Sequence, residues 1–160
     1  MSLVPDASVL IVLDQLGHLE PLLGSNLTML VPDSVLNEVD SPRVRKLAVE
    51  GRLRIVTSDP SLIPVEFRPR LGNGETGVLA YCIAHKDEWA MIDDLNGRRI
   101  AARLRLKFAG TARLLHHMAH RGLIAVDNLS NVFDHLRDVG FWIDDNTVNR
   151  ILAEQPLDFD

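Results

Sequence analysis

Five carboxylates stand out for where they fall along the chain. Asp6 directly follows a short apolar run, and Asp93 and Asp94 directly follow another. Glu38 lies about one and a half turns into a helix expected after a third run. Glu75 begins the helix that leads to the Asp93 run, within the turn-rich stretch Gly72-Asn73-Gly74-Glu75. Singly, each acid has a structural use: Asp6 and Asp94 as helix N-caps, Glu75 as a negative charge favoured by a helix dipole. Jointly they are costly. Two carboxylates about 4 Å apart repel by about 4 kcal/mol at an effective dielectric near 20. Four of them at one place must keep protons or bind a cation, and oxygen-only donors suit Mg²⁺ or Mn²⁺, the metals of phosphodiester chemistry.

Other motifs carry less. His116 and His120 are spaced i, i+4 on an expected helix, but no acidic residue accompanies them in an H-E-x-x-H pattern, so surface histidines are the expectation. Cys82, the only cysteine, falls on an apolar helix face and is expected to be buried and inert. It also excludes a disulfide framework and a cysteine zinc cage. Gly72, Gly74 and Gly77 have the spacing of a dinucleotide fingerprint, yet no clear strand precedes them. There is no phosphate-binding P-loop, no G-x-S-x-G, and no Asp-x-Asp after the first run, where Asp6-Ala7-Ser8 stands instead.

Charge is unevenly placed. The 160 residues carry 17 Lys and Arg against 22 Asp and Glu, for a net charge of −5. From Leu95 to Val126 there is no acid, while Arg98, Arg99, Arg103, Arg105, Lys107, Arg113 and Arg121 all fall there. The remainder holds 10 basic residues against 22 acidic ones, a balance of −12. Such a basic flank suits a polyanion or an acidic partner, or is a solvated helix face. Arg98 and Arg99 open a helix just after Asp93 and Asp94, so at least one is expected to overlook the acids and meet phosphate there. The rival use of Arg98 is a structural pair with an adjacent aspartate. Arg103, Arg105, Lys107 and Arg113 would extend the track.

Placing these residues requires alternating strands and helices. Strands are expected over Ser2 to Pro5, Leu27–Val31, Leu53–Val56, Trp89–Ile92 and Leu106–Ala109. Helices are expected over Ser8–Leu16, His18–Leu23, Asp33 (as N-cap) to Val39, Pro42–Glu50, Gly74–His85, Asn96–Leu104 and Thr111–Arg121. Leu129–Gly140 and Asp145–Glu154 read as two last helices packed on the body. Thr57–Asn73, with prolines at 60, 64 and 69, is the longest irregular stretch, a lid or a surface connection. This rhythm predicts one α/β domain over residues 1–160: a three-layer α/β/α sandwich with a mainly parallel sheet of four or five strands. Asp6, Asp14 and Glu20 interrupt the N-terminal apolar stretch, so no membrane span is expected, and no basic region precedes it as in a secretory signal. A cytoplasmic location is the expectation.

The motifs also resemble a known family. Asp6-Ala7-Ser8 after a first short strand resembles the opening of a PIN domain, and Val31-Pro32-Asp33-Ser34-Val35, followed by Glu38-Val39, resembles its second acidic element. Leu71-Gly72-Asn73-Gly74-Glu75-Thr76-Gly77 and Ile92-Asp93-Asp94-Leu95-Asn96-Gly97-Arg98-Arg99-Ile100-Ala101 are similar to a prokaryotic subfamily related to VapC toxins. Gly110-Thr111, Gly122-Leu123-Ile124 and Gly140-Phe141-Trp142-Ile143 continue the likeness over essentially the whole chain; Arg113 departs from it, standing where relatives often carry a small residue. The resemblance implies metal-dependent RNA cleavage by a toxin of a toxin–antitoxin pair, commonly a homodimer. It implies an acidic metal site of Asp6, Glu38, Glu75 and Asp93 or Asp94, with Mg²⁺ or Mn²⁺ as cofactor. Ser8 and Thr111 would position water or phosphate, unless they serve only helix starts, and an acidic antitoxin segment could cover the arginines. The alternative is a PIN-like module without catalysis that binds protein or RNA.

Overall fold

The computed structural model describes residues 1–125 and 129–159. Five parallel strands, β1 (Ser2–Pro5), β2 (Thr28–Pro32), β3 (Arg54–Val56), β4 (Trp89–Met91) and β5 (Lys107–Ala109), form a sheet in the order β3-β2-β1-β4-β5. Register is set by Leu3 opposite both Met29 and Trp89, by Val31 opposite Ile55 and by Ala90 opposite Phe108. The central strands are buried nearly throughout, as expected for parallel strands covered on both faces.

The connecting helices are α1 (Ala7–Gln15), α2 (Leu19–Leu23), α3 (Asp33–Glu38), α4 (Pro42–Val49), α5 (Asn73–Ala84), α6 (Leu95–Arg103) and α7 (Thr111–His120). Two more, α8 (Leu129–Asp138) and α9 (Asp145–Ala153), pack on α7 and on each other. The chain steps outward from β1 to β3, then crosses back to place β4 and β5 on the other side of β1. Right-handed crossovers on a path that reverses direction put helices on both faces of the sheet, which gives the α/β/α sandwich. One apolar cluster runs from Leu3 to Phe159 and takes in Cys82, whose thiol burial pushes up to about 12, so it is inert as expected.

Local chemistry explains most element ends. Pro5 and Pro32 close their strands, and Gly17 (φ 71°) and Gly51 (φ 70°) take the left-handed conformation that ends a helix. Three expectations need correction. Asp33 is the first residue of α3, with Pro32 as its N-cap; the Asp33 carboxylate accepts from Ser34 N–H next to it rather than from a donor further into the first turn. Residues 57–72 are not a purely surface connection: they form two short 3₁₀ turns, with Ile63 and Phe67 buried in the core. His116 is buried rather than on the surface, because α7 is sandwiched between α1 and the two last helices. No helix among the described residues is long and apolar enough to cross a membrane.

Candidate active site

The reversal of strand order places a crevice at the carboxyl ends of β1 and β4, the position where open parallel sheets bind ligands. Asp6 and Asp93 extend these two neighbouring strands. Asp6 N–H donates to the Met91 carbonyl at 2.9 Å, continuing the ladder, and Asp93 N–H donates to Asp6 Oδ2 at 3.4 Å.

Each acid is held by the start of a helix. Asp6 is the N-cap of α1, accepting at Oδ1 from Val9 N–H (2.9 Å) and the Ser8 hydroxyl (2.8 Å). Asp93 reaches across to α7, where Thr111 N–H donates to Oδ1 at 2.8 Å and the Thr111 hydroxyl to Oδ2 at 2.6 Å. Asp94 caps α6 through Gly97 N–H at 2.8 Å. Glu38, at the end of α3, accepts from Gly74 N–H in the first turn of α5 at 2.9 Å. Glu75 reaches back to accept from Gly72 N–H at 2.9 Å, the one half of a capping box that a glycine N-cap allows. The N-termini of α1, α5, α6 and α7 therefore deliver unpaired backbone donors and positive dipole ends to one group of carboxylates.

The Asp93–Asp94 pair divides its work. Asp93 faces Asp6, whereas Asp94 lies with Glu38 in the field of Glu75. Electrostatics follow depth. Asp6 is only 4% exposed, and burial, with repulsion from Asp93 as a further contribution, raises its carboxyl to about 6 despite the donors from Val9 and Ser8. Asp93 is raised by burial and pulled back by Thr111 and by Arg98. Glu75 is raised by burial and then by Asp94 and Glu38, against its bond from Gly72. Among the described residues no three His, Cys, Asp or Glu side chains stand close enough together to enclose a metal ion.

Glycines make the approach possible. A Cβ on Gly74 would sit 2.5 Å from Glu38 Oε2, one on Gly110 would sit 2.8 Å from Asp93 Oδ1, and one on Gly77 would collide with Ser34 Oγ. The run Gly72 to Gly77 is thus a close approach of α3 and α5 that seats Glu38, a use of these glycines that the dinucleotide spacing does not suggest. The bonds from Thr111 to Asp93 and from Gly74 to Glu38 were not foreseen either; a glycine immediately before a helix start is the sequence signal for each. A PIN-domain family profile matches residues 2–155. The chain belongs to the PIN-domain family. PIN domains are generally nucleases, hydrolases that typically use divalent metal ions. Neither the curated proteins nor the solved structures gave a match.

Within this PIN domain the remaining candidates fall into place. Ser8 and Thr111 donate to Asp6 and Asp93, so their hydroxyls orient acids. Arg98 lies beside Asp93 and near Gly110, and its Nε is buried with no hydrogen-bond partner among the described residues. Arg99 is exposed on the same first turn. The expected extension of the basic track is corrected. Lys107 opens β5 opposite Trp89, at the end of the sheet away from the acids, where its Nζ donates to the Asp87 carbonyl (3.3 Å). Arg103 stands over the Phe67 ring at 5.2 Å, and Arg105 turns the chain into β5, because α6 runs from the acid edge to the opposite one. Arg113, unlike these three, lines one cleft with Asp93 and Arg98, where it pairs with Glu154 at the end of α9. His120 is exposed, while burial lowers the pKa of His116.

Proposed function

We propose that this PIN domain is a Mg²⁺- or Mn²⁺-dependent endoribonuclease acting as the toxin of a toxin–antitoxin pair, as a homodimer. The observation that carries the reading is the meeting of Asp6 with Asp93 at the switch point of the sheet, with Glu38, Glu75 and Asp94 alongside. The donor set is all oxygen and fits a hard divalent cation. Asp6, Asp93 and Glu75 are raised first of all by burial, a cost that a bound cation would offset. Asp6 and Asp93, the pair in direct contact, would hold the ion first, with Glu75 completing the acidic ring. Glu38 and Asp94 would have to draw in to share it, since as they stand no three acids among the described residues enclose one. A bound divalent cation lowers the pKa of water and neutralises charge developing on a phosphoryl group.

The chain's own residues supply the rest. Ser8 O–H and Val9 N–H fix Asp6 Oδ1, leaving Oδ2 toward Asp93. Thr111 holds both oxygens of Asp93. Burial holds the metal-free Asp6 carboxyl near 6, so a cation binding there would displace a proton close to neutral pH. Arg98 and Arg99 offer planar forks to phosphate oxygens at the edge of the acids. RNA is the substrate that the VapC-like motifs favour, and an acidic antitoxin segment over these arginines would shut the enzyme off.

The test is cleavage of single-stranded RNA with Mn²⁺, with EDTA, and by Asp6→Asn plus Asp93→Asn, alongside calorimetric Mn²⁺ titration. Cleavage that EDTA and the double variant both abolish is expected. Cleavage surviving either one, or wild-type protein that takes up no Mn²⁺, leaves the binding module without catalysis as the correct reading.

A further inference from the structure

Of the five acids, Asp93 borders a cleft of about 540 Å³, within the roughly 300–1,000 Å³ that accommodates small ligands. Asp93 and Arg98 line its inner end; α7 and α9 contribute Arg113 and Arg150; the connection between α8 and α9 contributes Phe141 and Trp142. Trp142 is 83% exposed, although Ile143 next to it is buried. An indole so exposed beside a cleft is an aromatic face with no stacking partner among the described residues. The cations around it are incompletely satisfied. Nε of Arg98 and Nε of Arg113 are buried without hydrogen-bond partners among the described residues. Arg113 and Arg150 share a single carboxylate, Glu154, with Arg150 at 3.8 Å. Asp144, the other acid in the cleft wall, is committed to Thr147 through bonds of 2.9 and 2.7 Å.

A ligand matched to these groups is flat on one part and anionic on another. We propose that the cleft is a nucleotide subsite for single-stranded RNA, in which Trp142 stacks on an unpaired base. Arg150 and Arg98 engage the phosphates on either side, leading the strand toward Asp93. Only a single strand offers an unstacked base to such a platform, and stacking on an aromatic ring tolerates any base. The subsite would therefore set strand form and register rather than sequence. It rests on the ribonuclease reading, yet binding can be measured apart from cleavage.

The decisive measurement uses the full chain in EDTA with a short, 5′-labelled single-stranded RNA, followed by fluorescence anisotropy. Trp142→Ala is expected to weaken binding roughly 5- to 100-fold, the range for removal of one stacked base, and Trp142→Phe to retain most of it. The same RNA should quench intrinsic tryptophan emission in wild type but not in Trp142→Ala, where Trp89, edge-on to Phe159 at 4.9 Å, supplies the background. Inorganic polyphosphate should compete weakly and leave the emission unchanged. Because the side chain is exposed, both variants should melt with the wild type. Equal affinity of wild type and Trp142→Ala, equal binding of duplex RNA, or quenching by polyphosphate would each overturn the subsite. Wild type that cleaves RNA while Trp142→Ala binds normally sinks the subsite and spares the ribonuclease. Trp142-dependent binding without metal-dependent cleavage does the reverse.

Discussion

The two halves of the acidic group are built on different terms. Asp6 and Asp93 sit deepest, on adjacent central strands, with three of their four carboxylate oxygens bound to a helix start or its hydroxyl and Asp6 Oδ2 turned to the Asp93 N–H. Glu38 and Asp94 lie exposed at the rim, each with one backbone donor, and Glu75 is half-buried between them and the core. The two rim acids face solvent. The inner pair is charged only against desolvation and mutual repulsion, and that energy becomes available to any cation that relieves it. The inner pair should therefore govern activity and pH response, and the outer acids should tune them.

The strongest way to break this contrast is to neutralise one acid from each half. Asp6→Asn or Asp93→Asn should lower RNA cleavage beyond about 1,000-fold, exceeding the roughly 10- to 100-fold typical of groups that merely support a metal ligand. Asp94→Asn should fall less, and rate constants at saturating Mn²⁺ would rank them; equal decreases would erase the distinction.

A second expectation concerns stability in EDTA. The folded Asp6 carboxyl titrates near 6 and the unfolded one near 3.8, so the folded state binds the extra proton between these values. Stability is thus greatest below about pH 4 as far as this group is concerned and is lost as pH rises through 6, by about 3 kcal/mol for a shift of this size. Denaturant titrations at pH 4.5 and 7 should show that slope in wild type and a shallower one in Asp6→Asn, where Asp93 and Glu75, also raised, still contribute.

Removing one support from the inner pair is the next smaller change. Thr111→Val keeps the shape and the backbone donor but deletes the hydroxyl at 2.6 Å from Asp93 Oδ2. Cleavage should drop about 10- to 100-fold with the fold intact, as circular dichroism and a single melting transition would verify. A milder separation comes from charge. Arg98→Ala with Arg99→Ala should flatten the salt dependence of RNA binding by about 0.7 in log–log slope for each phosphate that is no longer neutralised. Joint replacement of Arg103, Arg105 and Lys107 by Ala, at the far edge of the sheet, should leave the slope unchanged. The smallest effect is expected at Arg105, a non-glycine residue at φ 56° after α6. Arg105→Gly should raise stability by about 1 kcal/mol without altering cleavage, since only glycine enters that conformation freely.

Much was legible along the chain because it is local chemistry. The strand–helix rhythm, the prolines and glycines that end elements, and the acids that follow strands each depend on a few neighbouring residues, and from them came the parallel α/β/α sandwich and the five carboxylates. The resemblance of Gly74-Glu75 and of Asp93-Asp94 with Gly97-Arg98 to one family rests on spacing alone and is likewise local. What the chain could not reveal was pairing across distance. That Asp93 rather than Asp94 turns to Asp6, that Thr111 holds Asp93, and that Gly74 admits Glu38 depend on strand order and on backbones separated by 18 to 87 positions. The basic flank was misjudged for the same reason: seven cations within one stretch look continuous, but α6 carries its first turn to the acids and its last to the opposite edge. Sequence thus determined which groups this protein owns and which elements carry them. Only the packed sheet decided which face each other, because burial and repulsion are properties of distance in space.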